Sequence, residues 1–145
     1  SPGTYLRLTL GSFLHDLAFK DDKLAKVHDL KMPGLSAAQI EMIKQHPIEA
    51  AKFARQFKEV PADMDMLLIE HHERCDGQGY PYGLSHTKIH PLSCLFIIAH
   101  DFLDFTLANP TKATFPQFIE AHGKDYASGN FRKLVQLLLA GSVKK

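Results

Sequence analysis

Residues 71–81 read His-His-Glu-Arg-Cys-Asp-Gly-Gln-Gly-Tyr-Pro, and this run is the part of the sequence that best indicates the fold. The residues just before it, 64–69, are mostly apolar and read as a helix, while Gly77, Gly79 and Pro81 mark a loop. Two adjacent imidazoles at the end of a helix can bind a metal ion, because neutral imidazole is the commonest metal ligand among side chains. The run therefore predicts a helix that ends at a metal site, with a rigid turn beside it.

Composition limits the classes of function that remain. The 145 residues are 45% hydrophobic and 23% charged, which fits one globular domain over residues 1–145. The net charge is +1, so no bulk field recruits nucleic acid, and an anionic substrate must be attracted by a metal ion or a few local cations.

Cysteine usage and hydropathy indicate the compartment. Cys75 and Cys94 make no disulfide framework, and no apolar run approaches the roughly 20 residues of a membrane span, so we expect a cytoplasmic protein without one. Because the chain begins at Ser1 rather than at Met, we also expect it to be part of a longer protein. The N-terminal part of its domain and any regulatory domain would then lie upstream.

The spacing of apolar residues is helical nearly throughout, as in Leu6, Leu10 and Leu14, and strand signals are nearly absent. The sequence therefore predicts an all-α bundle with one long Gly/Tyr/Pro loop at residues 76–90. The expected helices are a first one ending near His15-Asp16, a short one within 20–32, one from the Ser36 capping box to His46, one beginning at Pro47, one from Pro61 to the double histidine, one from Pro91 to Leu107, one capped at Thr114, and one over 131–139.

Candidate metal ligands recur at about one helix pair apart, at His15-Asp16, His46, His71-His72 and Asp101. Each group can therefore come from a different helix and point to one interior site. Imidazole and carboxylate without thiolate suit Fe, Mn, Ni or Zn. A carboxylate such as Asp16 has two oxygens with which to bridge two ions, and two ions generate a hydroxide nucleophile at neutral pH.

These motifs resemble those of the HD-GYP family, bacterial phosphodiesterases that hydrolyse cyclic di-GMP within the HD superfamily of metal-dependent phosphohydrolases. The resemblance covers about residues 12–113 and implies an HD-domain helical bundle. The matching strings are His15-Asp16, Pro33-Gly34, Lys44-Gln45-His46-Pro47, His71-His72-Glu73, Asp76-Gly77-Gln78-Gly79-Tyr80-Pro81-Tyr82-Gly83-Leu84, Ile89-His90-Pro91-Leu92 and Ala99-His100-Asp101-Phe102-Leu103-Asp104.

The resemblance implies a centre of two divalent metal ions, with iron favoured and Mn, Ni or Zn as alternatives. Asp16 would bridge the ions and, with Asp101, form the catalytic pair. The other expected ligands are His15 and Asp101 for the first ion and His46, His71 and His72 for the second. A further family histidine, and in some members a glutamate, would fall before residue 1.

The resemblance also implies partners. The substrate would be cyclic di-GMP. The family ties the Gly79, Tyr80 and Pro81 stretch to partner binding, notably to diguanylate cyclase domains, and the same residues also shape the turn. A homodimer is a further alternative.

Several positions depart from the family pattern. Phe19 stands where the family has Lys, with Lys20 one step away; Leu95 and Asn109 stand where it has Arg. Lys112 and Lys20 are then the remaining candidates for a phosphate contact, and Lys112 is otherwise a surface lysine. Each lost cation removes roughly 1.5–3 kcal/mol of charge-assisted phosphate binding. The chain is therefore interpreted as a phosphodiesterase with altered substrate contacts or, alternatively, as a metal-holding module that binds cyclic di-GMP or a partner without turnover. An HD phosphohydrolase for another nucleotide is disfavoured by the Gly-Tyr-Pro motif.

The remaining polar candidates have plainer interpretations. Asp104 either orients a ligand imidazole or is a helix charge, with equal weight. Glu73 either supports a metal ligand or lies on a solvated face, and the solvated face is favoured. The other histidines are expected to be structural or exposed, namely His28, His86, His90, His100 and His122.

Overall fold

All regular secondary structure in the described part of the chain is helical. The computed structural model describes residues 1–19, 23–24, 27, 30, 33–111 and 113–142, the last without its side chain. The helices are α1 (Pro2–Leu14), α2 (Ala37–Ala54), α3 (Met64–Glu70), α4 (Pro91–Ala108), α5 (Phe115–His122) and α6 (Gly129–Ser142), with a 3-10 turn at Gly123–Tyr126. No strand occurs within these ranges, so the prediction of an all-α chain is confirmed. The short helix predicted within 20–32 falls mostly outside them.

The chain divides into two compact units, Ser1–His71 and His72–Lys145. In the first unit, α3 packs against both α1 and α2. Arg7 of α1 forms an ion pair of 2.7 Å with Asp63, the residue before α3. This unit carries three of the predicted ligand groups, which lie at the ends of α1 and α3 and in the middle of α2, and the double histidine is divided between the units.

Both predicted capping boxes are present. The Ser36 hydroxyl accepts from the backbone N–H of Gln39 at 3.2 Å, while the Gln39 side chain accepts from the Ser36 backbone N–H at 2.9 Å. Thr114 and Gln117 repeat the arrangement at the start of α5. Reciprocal caps satisfy N–H groups that have no partner inside the helix, which fixes where each helix begins.

The predicted break between His46 and Pro47 is wrong. Helix α2 runs unbroken from Ala37 to Ala54 with Pro47 inside it. A proline has no N–H to donate to the carbonyl four residues earlier, here that of Ile43. The Nδ1 atom of His46 donates to that carbonyl instead, at 2.5 Å. The side chain thus replaces the missing backbone hydrogen bond and the helix continues.

The second unit is built around α4, which packs against α5 and α6. Its core includes Ile97 and Ile98 of α4, Phe118 of α5, Tyr126 of the 3-10 turn and Phe131 of α6, all buried. Among the described residues, α4 alone is long and apolar enough to cross a membrane by length and composition, a test that core helices of soluble proteins also pass. The prediction that the chain has no membrane span stays a prediction.

Candidate metal centre

Three histidines of the first unit are oriented in the same way, by a hydrogen bond from Nδ1 to a backbone carbonyl three or four residues earlier. The contacts are His15 with Gly11 O and Ser12 O at 3.1 Å each, His46 with Ile43 O at 2.5 Å, and His71 with Leu68 O at 2.6 Å. A carbonyl oxygen can only accept, so each Nδ1 is the donor. In a neutral ring, Nε2 is then the accepting atom, which is the form that binds a metal.

The helices supply the carbonyls that hold these rings. Helix α1 ends at Leu14 and α3 ends at Glu70, and the last carbonyls of a helix have no partner inside it. In α2, Pro47 has the same effect in mid-helix, because it leaves the Ile43 carbonyl to His46. The backbone therefore fixes the orientation of all three imidazoles before any ligand binds.

The three Nε2 atoms converge on the carboxylate of Asp16. His15 Nε2 lies 3.4 Å from Asp16 Oδ2. On the other oxygen, Oδ1, His46 Nε2 lies at 3.4 Å and His71 Nε2 at 3.9 Å, and those two nitrogens are 3.1 Å apart. One carboxylate oxygen thus faces one histidine and the other faces two, which is the division that a bridging carboxylate would need.

The donor set fits a divalent metal ion. Two ligands at about 2.0–2.1 Å from one ion, at angles between 90° and 109°, are separated by roughly 2.8–3.4 Å. The 3.1 Å between His46 Nε2 and His71 Nε2 and the 3.4 Å between His46 Nε2 and Asp16 Oδ1 match this spacing, while the 3.9 Å between His71 Nε2 and Asp16 Oδ1 exceeds it. His46 and His71 are 3% and 1% exposed, so a cation held by them would be largely withdrawn from water.

Charges in the cluster favour a bound cation over bound protons at neutral pH. Burial, together with the proximity of His46, lowers the pKa of His71 well below its ordinary value of 6.5. Burial raises the pKa of Asp16, but the contacts with His46, His15 and His71 outweigh it and the net pKa lies below 3.8. A neutral ring therefore stands beside an ionised carboxylate, as metal ligands require.

In the second unit, His72 is held by the Gly-Tyr-Pro turn. The Tyr80 backbone N–H donates to the His72 carbonyl at 3.1 Å, and the two rings stack with centroids 4.6 Å apart and planes 21° apart. Gly79 lies so close to the chain before it that a Cβ there would overlap the backbone of Glu73 and Arg74. The turn therefore folds back onto the double-histidine segment, and only glycine fits at position 79.

Glu73 secures the same turn, so its expected place on a solvated face is wrong. Its side chain is 0% exposed, and its two carboxylate oxygens accept from the backbone N–H groups of Tyr82 at 2.8 Å and Leu84 at 2.7 Å. Hydrogen bonds to a charged acceptor are the stronger kind. This buried carboxylate anchors the loop where it leaves the turn.

Asp101 is held by two residues that the sequence did not single out. Its Oδ2 accepts from a guanidinium N–H of Arg74 at 2.6 Å and from the hydroxyl of Tyr126 at 2.7 Å. Burial and the negative charge of Asp101 raise the pKa of Tyr126 far above its ordinary value of 10, so the hydroxyl keeps its proton and donates. Tyr126 and Arg74 lie 25 and 27 positions from Asp101 in the sequence, so only the folded chain brings them into contact with it.

His100 and Asp104 form a further pair on α4. His100 Nδ1 lies 3.5 Å from Asp104 Oδ2, and the choice for Asp104 between orienting a ligand imidazole and being a helix charge stays a prediction. One donor atom from each of His100, Asp101 and Asp104 lies within 4.8 Å of the others, which makes His100 an additional ligand candidate. In the sequence, the position of His100 next to Asp101 could have indicated this role.

Comparison with known proteins gives the family. A family profile described as an HD domain matches residues 24–122. The chain belongs to the HD-domain family. It is 31% identical over 106 residues to a cyclic di-GMP phosphodiesterase of Pseudomonas aeruginosa, an alignment that covers 71% of this chain and 24% of that protein. The chain thus spans about a quarter of the length of that relative. No solved structure matches. These findings confirm the HD-GYP resemblance.

One departure of this HD domain lies against the metal cluster. Phe19, which stands in place of the family's lysine, packs on the ring of His46 with centroids 4.2 Å apart and planes 33° apart. Its backbone N–H donates to the carbonyl of Asp16 at 3.0 Å. An apolar ring therefore covers one face of a candidate ligand where the family has a cation.

The other departures lie on α4. Asn109 ends this helix, and its side-chain amide donates to the Phe105 carbonyl at 2.9 Å, so it serves as a local cap. Leu95 is half-buried. Lys20 and Lys112, the two expected phosphate contacts, lie outside the described residues, and their roles stay predictions.

Proposed function

We propose that this HD domain is a divalent-metal phosphodiesterase that opens cyclic di-GMP. The observation that carries the proposal is the convergence of three oriented Nε2 atoms on the two oxygens of Asp16. The relative named for cyclic di-GMP hydrolysis supports the choice of substrate.

Within the first unit, His46, His71 and Oδ1 of Asp16 would hold one ion, and His15 with Oδ2 of Asp16 would hold a second. Ions bound there would lower the pKa of a water molecule and stabilise negative charge on the attacked phosphorus. The chain itself holds the imidazoles in the metal-binding tautomer, supplies the ionised carboxylate and keeps His46 and His71 out of bulk water. The resemblance assigns ligand roles to His72 and Asp101 as well.

Iron is our proposed metal, since mixed imidazole and carboxylate ligands without thiolate suit it. Metal content and turnover should be measured together. Protein loaded anaerobically with Fe(II), and separately with Mn(II) or Ni(II), is incubated with cyclic di-GMP while the linear dinucleotide and GMP are followed. Absence of product with every metal would end the enzymatic proposal.

Matched histidine variants sharpen this test. His46→Gln should remove bound metal and lower turnover by more than about 100-fold, because loss of even an outer partner of a metal ligand costs roughly 10–100-fold. His122→Gln is the control, since it makes the same chemical change at an exposed site on α5. Equal losses in both variants would contradict the assignment.

The second candidate is a module that holds metal and binds cyclic di-GMP without cleaving it. The aromatic ring of Phe19 at the family's lysine position favours this alternative, because a cationic contact to phosphate is absent there. Calorimetry with the metal-loaded protein would show saturable binding of cyclic di-GMP without product.

The Gly-Tyr-Pro turn is also our proposed binding surface for a protein partner. We propose that a diguanylate cyclase domain docks there, beside Tyr82, which is 61% exposed. Tyr82→Asp should weaken co-purification of such a domain and leave metal content unchanged, whereas equal binding by both forms would exclude this surface.

A further inference from the structure

We propose that Arg74 and Tyr126 are positioning residues, which fix the carboxylate of Asp101 so that its Oδ1 is the oxygen presented to a metal ion. This rests on the proposed function, because the resemblance makes Asp101 a ligand. The two donors come from separate parts of the second unit. Arg74 lies in the segment after the double histidine, and Tyr126 lies in the 3-10 turn.

Both residues donate a hydrogen bond to the same carboxylate oxygen of Asp101. Arg74 donates to Oδ2 at 2.6 Å and Tyr126 donates to Oδ2 at 2.7 Å. A carboxylate oxygen has two lone-pair positions, so two hydrogen bonds fill the accepting capacity of Oδ2. The metal-binding capacity of the group is then concentrated in Oδ1.

Tyr126 is itself held in place by the core. Its side chain is 4% exposed and its ring lies against those of Phe118 and Phe131, with centroids 5.7 Å and 6.1 Å away. The hydroxyl therefore has little freedom to follow Asp101, and the carboxylate must take the orientation that the hydroxyl sets. Arg74 adds a positive charge, which offsets that of Asp101 when no ion is bound.

The test is the affinity for Mn(II), with the number of bound ions, measured by calorimetry and elemental analysis on the whole chain. Tyr126→Phe keeps the ring and removes only the hydroxyl, so it should weaken Mn(II) binding roughly 10–100-fold while the melting temperature changes little. Arg74→Lys keeps the charge but changes the donor geometry, and should weaken binding in the same direction. Tyr5→Phe, at a side chain that is 74% exposed, is the matched control.

The outcomes separate this proposal from the proposed function. Wild-type Mn(II) affinity in both Tyr126→Phe and Arg74→Lys overturns the positioning role, as does unchanged metal content in Asp101→Asn. Tighter binding in Arg74→Lys also overturns it, because Arg74 would then compete with the ion. In each of these cases, loss of metal from His46→Gln would leave the proposed function standing. Unchanged metal in His46→Gln would overturn both.

Discussion

Glu73→Gln tests whether the buried carboxylate of Glu73 stabilises the Gly-Tyr-Pro turn through its hydrogen bonds to the backbone. The carboxylate is 0% exposed, and each of its oxygens accepts one backbone N–H, from Tyr82 at 2.8 Å and from Leu84 at 2.7 Å. Glutamine has the same shape but only one accepting oxygen. Its NH2 group must therefore face one of the two N–H donors, and that donor loses its partner.

The cost can be worked from these two contacts. Hydrogen bonds to a charged group contribute roughly 1.5–3 kcal/mol each, and those to a neutral group roughly 0.5–1.5 kcal/mol. Replacing two charged bonds by one neutral bond, and allowing for the easier burial of a neutral amide, lowers the free energy of unfolding by about 3 kcal/mol. For a chain of this size, at about 3 °C per kcal/mol, the melting temperature should fall by roughly 9 °C.

Two assays check this. Urea denaturation gives the change in stability, and hydrogen exchange gives the protection of the Tyr82 and Leu84 amides, which should fall selectively. Glu120→Gln, the same change on an exposed site of α5, should leave stability within about 0.5 kcal/mol. If Glu73→Gln behaves like Glu120→Gln, with both amides still protected, the anchoring role is refuted.

Three further predictions concern the turn and the metal cluster. Gly79→Ala should prevent the turn from packing, because the added Cβ overlaps the backbone of Glu73, and should lower the metal content, since the resemblance makes the neighbouring His72 a ligand. Gly141→Ala, with open space around it, is the control, and elemental analysis decides. Phe19→Lys should strengthen binding of cyclic di-GMP roughly tenfold by restoring a phosphate contact of about 1.5 kcal/mol, and calorimetry showing weaker binding would contradict this. Because the pKa of His71 is lowered well below 6.5, the unfolded state binds more protons than the folded state below that pH. Stability of the metal-free chain should therefore fall as pH drops below 6.5, by up to about 1.4 kcal/mol per pH unit, and a His71→Gln variant with the same slope would refute this.

The sequence predicted well what depends on local spacing. The apolar periodicity located α1, α3 and α4, and the capping pairs at Ser36 and Thr114 located two helix starts. Capping pairs and apolar periodicity involve residues a few positions apart, so they can be recognised from the sequence alone. The clustering of His15, Asp16, His46 and His71 followed from helix-pair spacing.

The errors arose where a side chain finds a distant or unexpected partner. Pro47 was expected to begin a helix because its lost hydrogen bond was counted without the replacement offered by His46. Glu73 was expected in solvent because its partners, nine and eleven residues later, face it only after the loop has turned back. Tyr126 gave no signal at all, since its role depends on a contact across 25 residues.

The proline inside α2 has a consequence for the engineering of metal sites. A helix normally uses every interior carbonyl for itself, which leaves a histidine side chain free to sample several rotamers. A proline placed one residue after the histidine releases one carbonyl at the distance that Nδ1 can reach, as Ile43, His46 and Pro47 demonstrate. The tripartite arrangement of acceptor, histidine and proline is short enough to be transplanted, and offers designers a way to preset both tautomer and rotamer on a continuous helix.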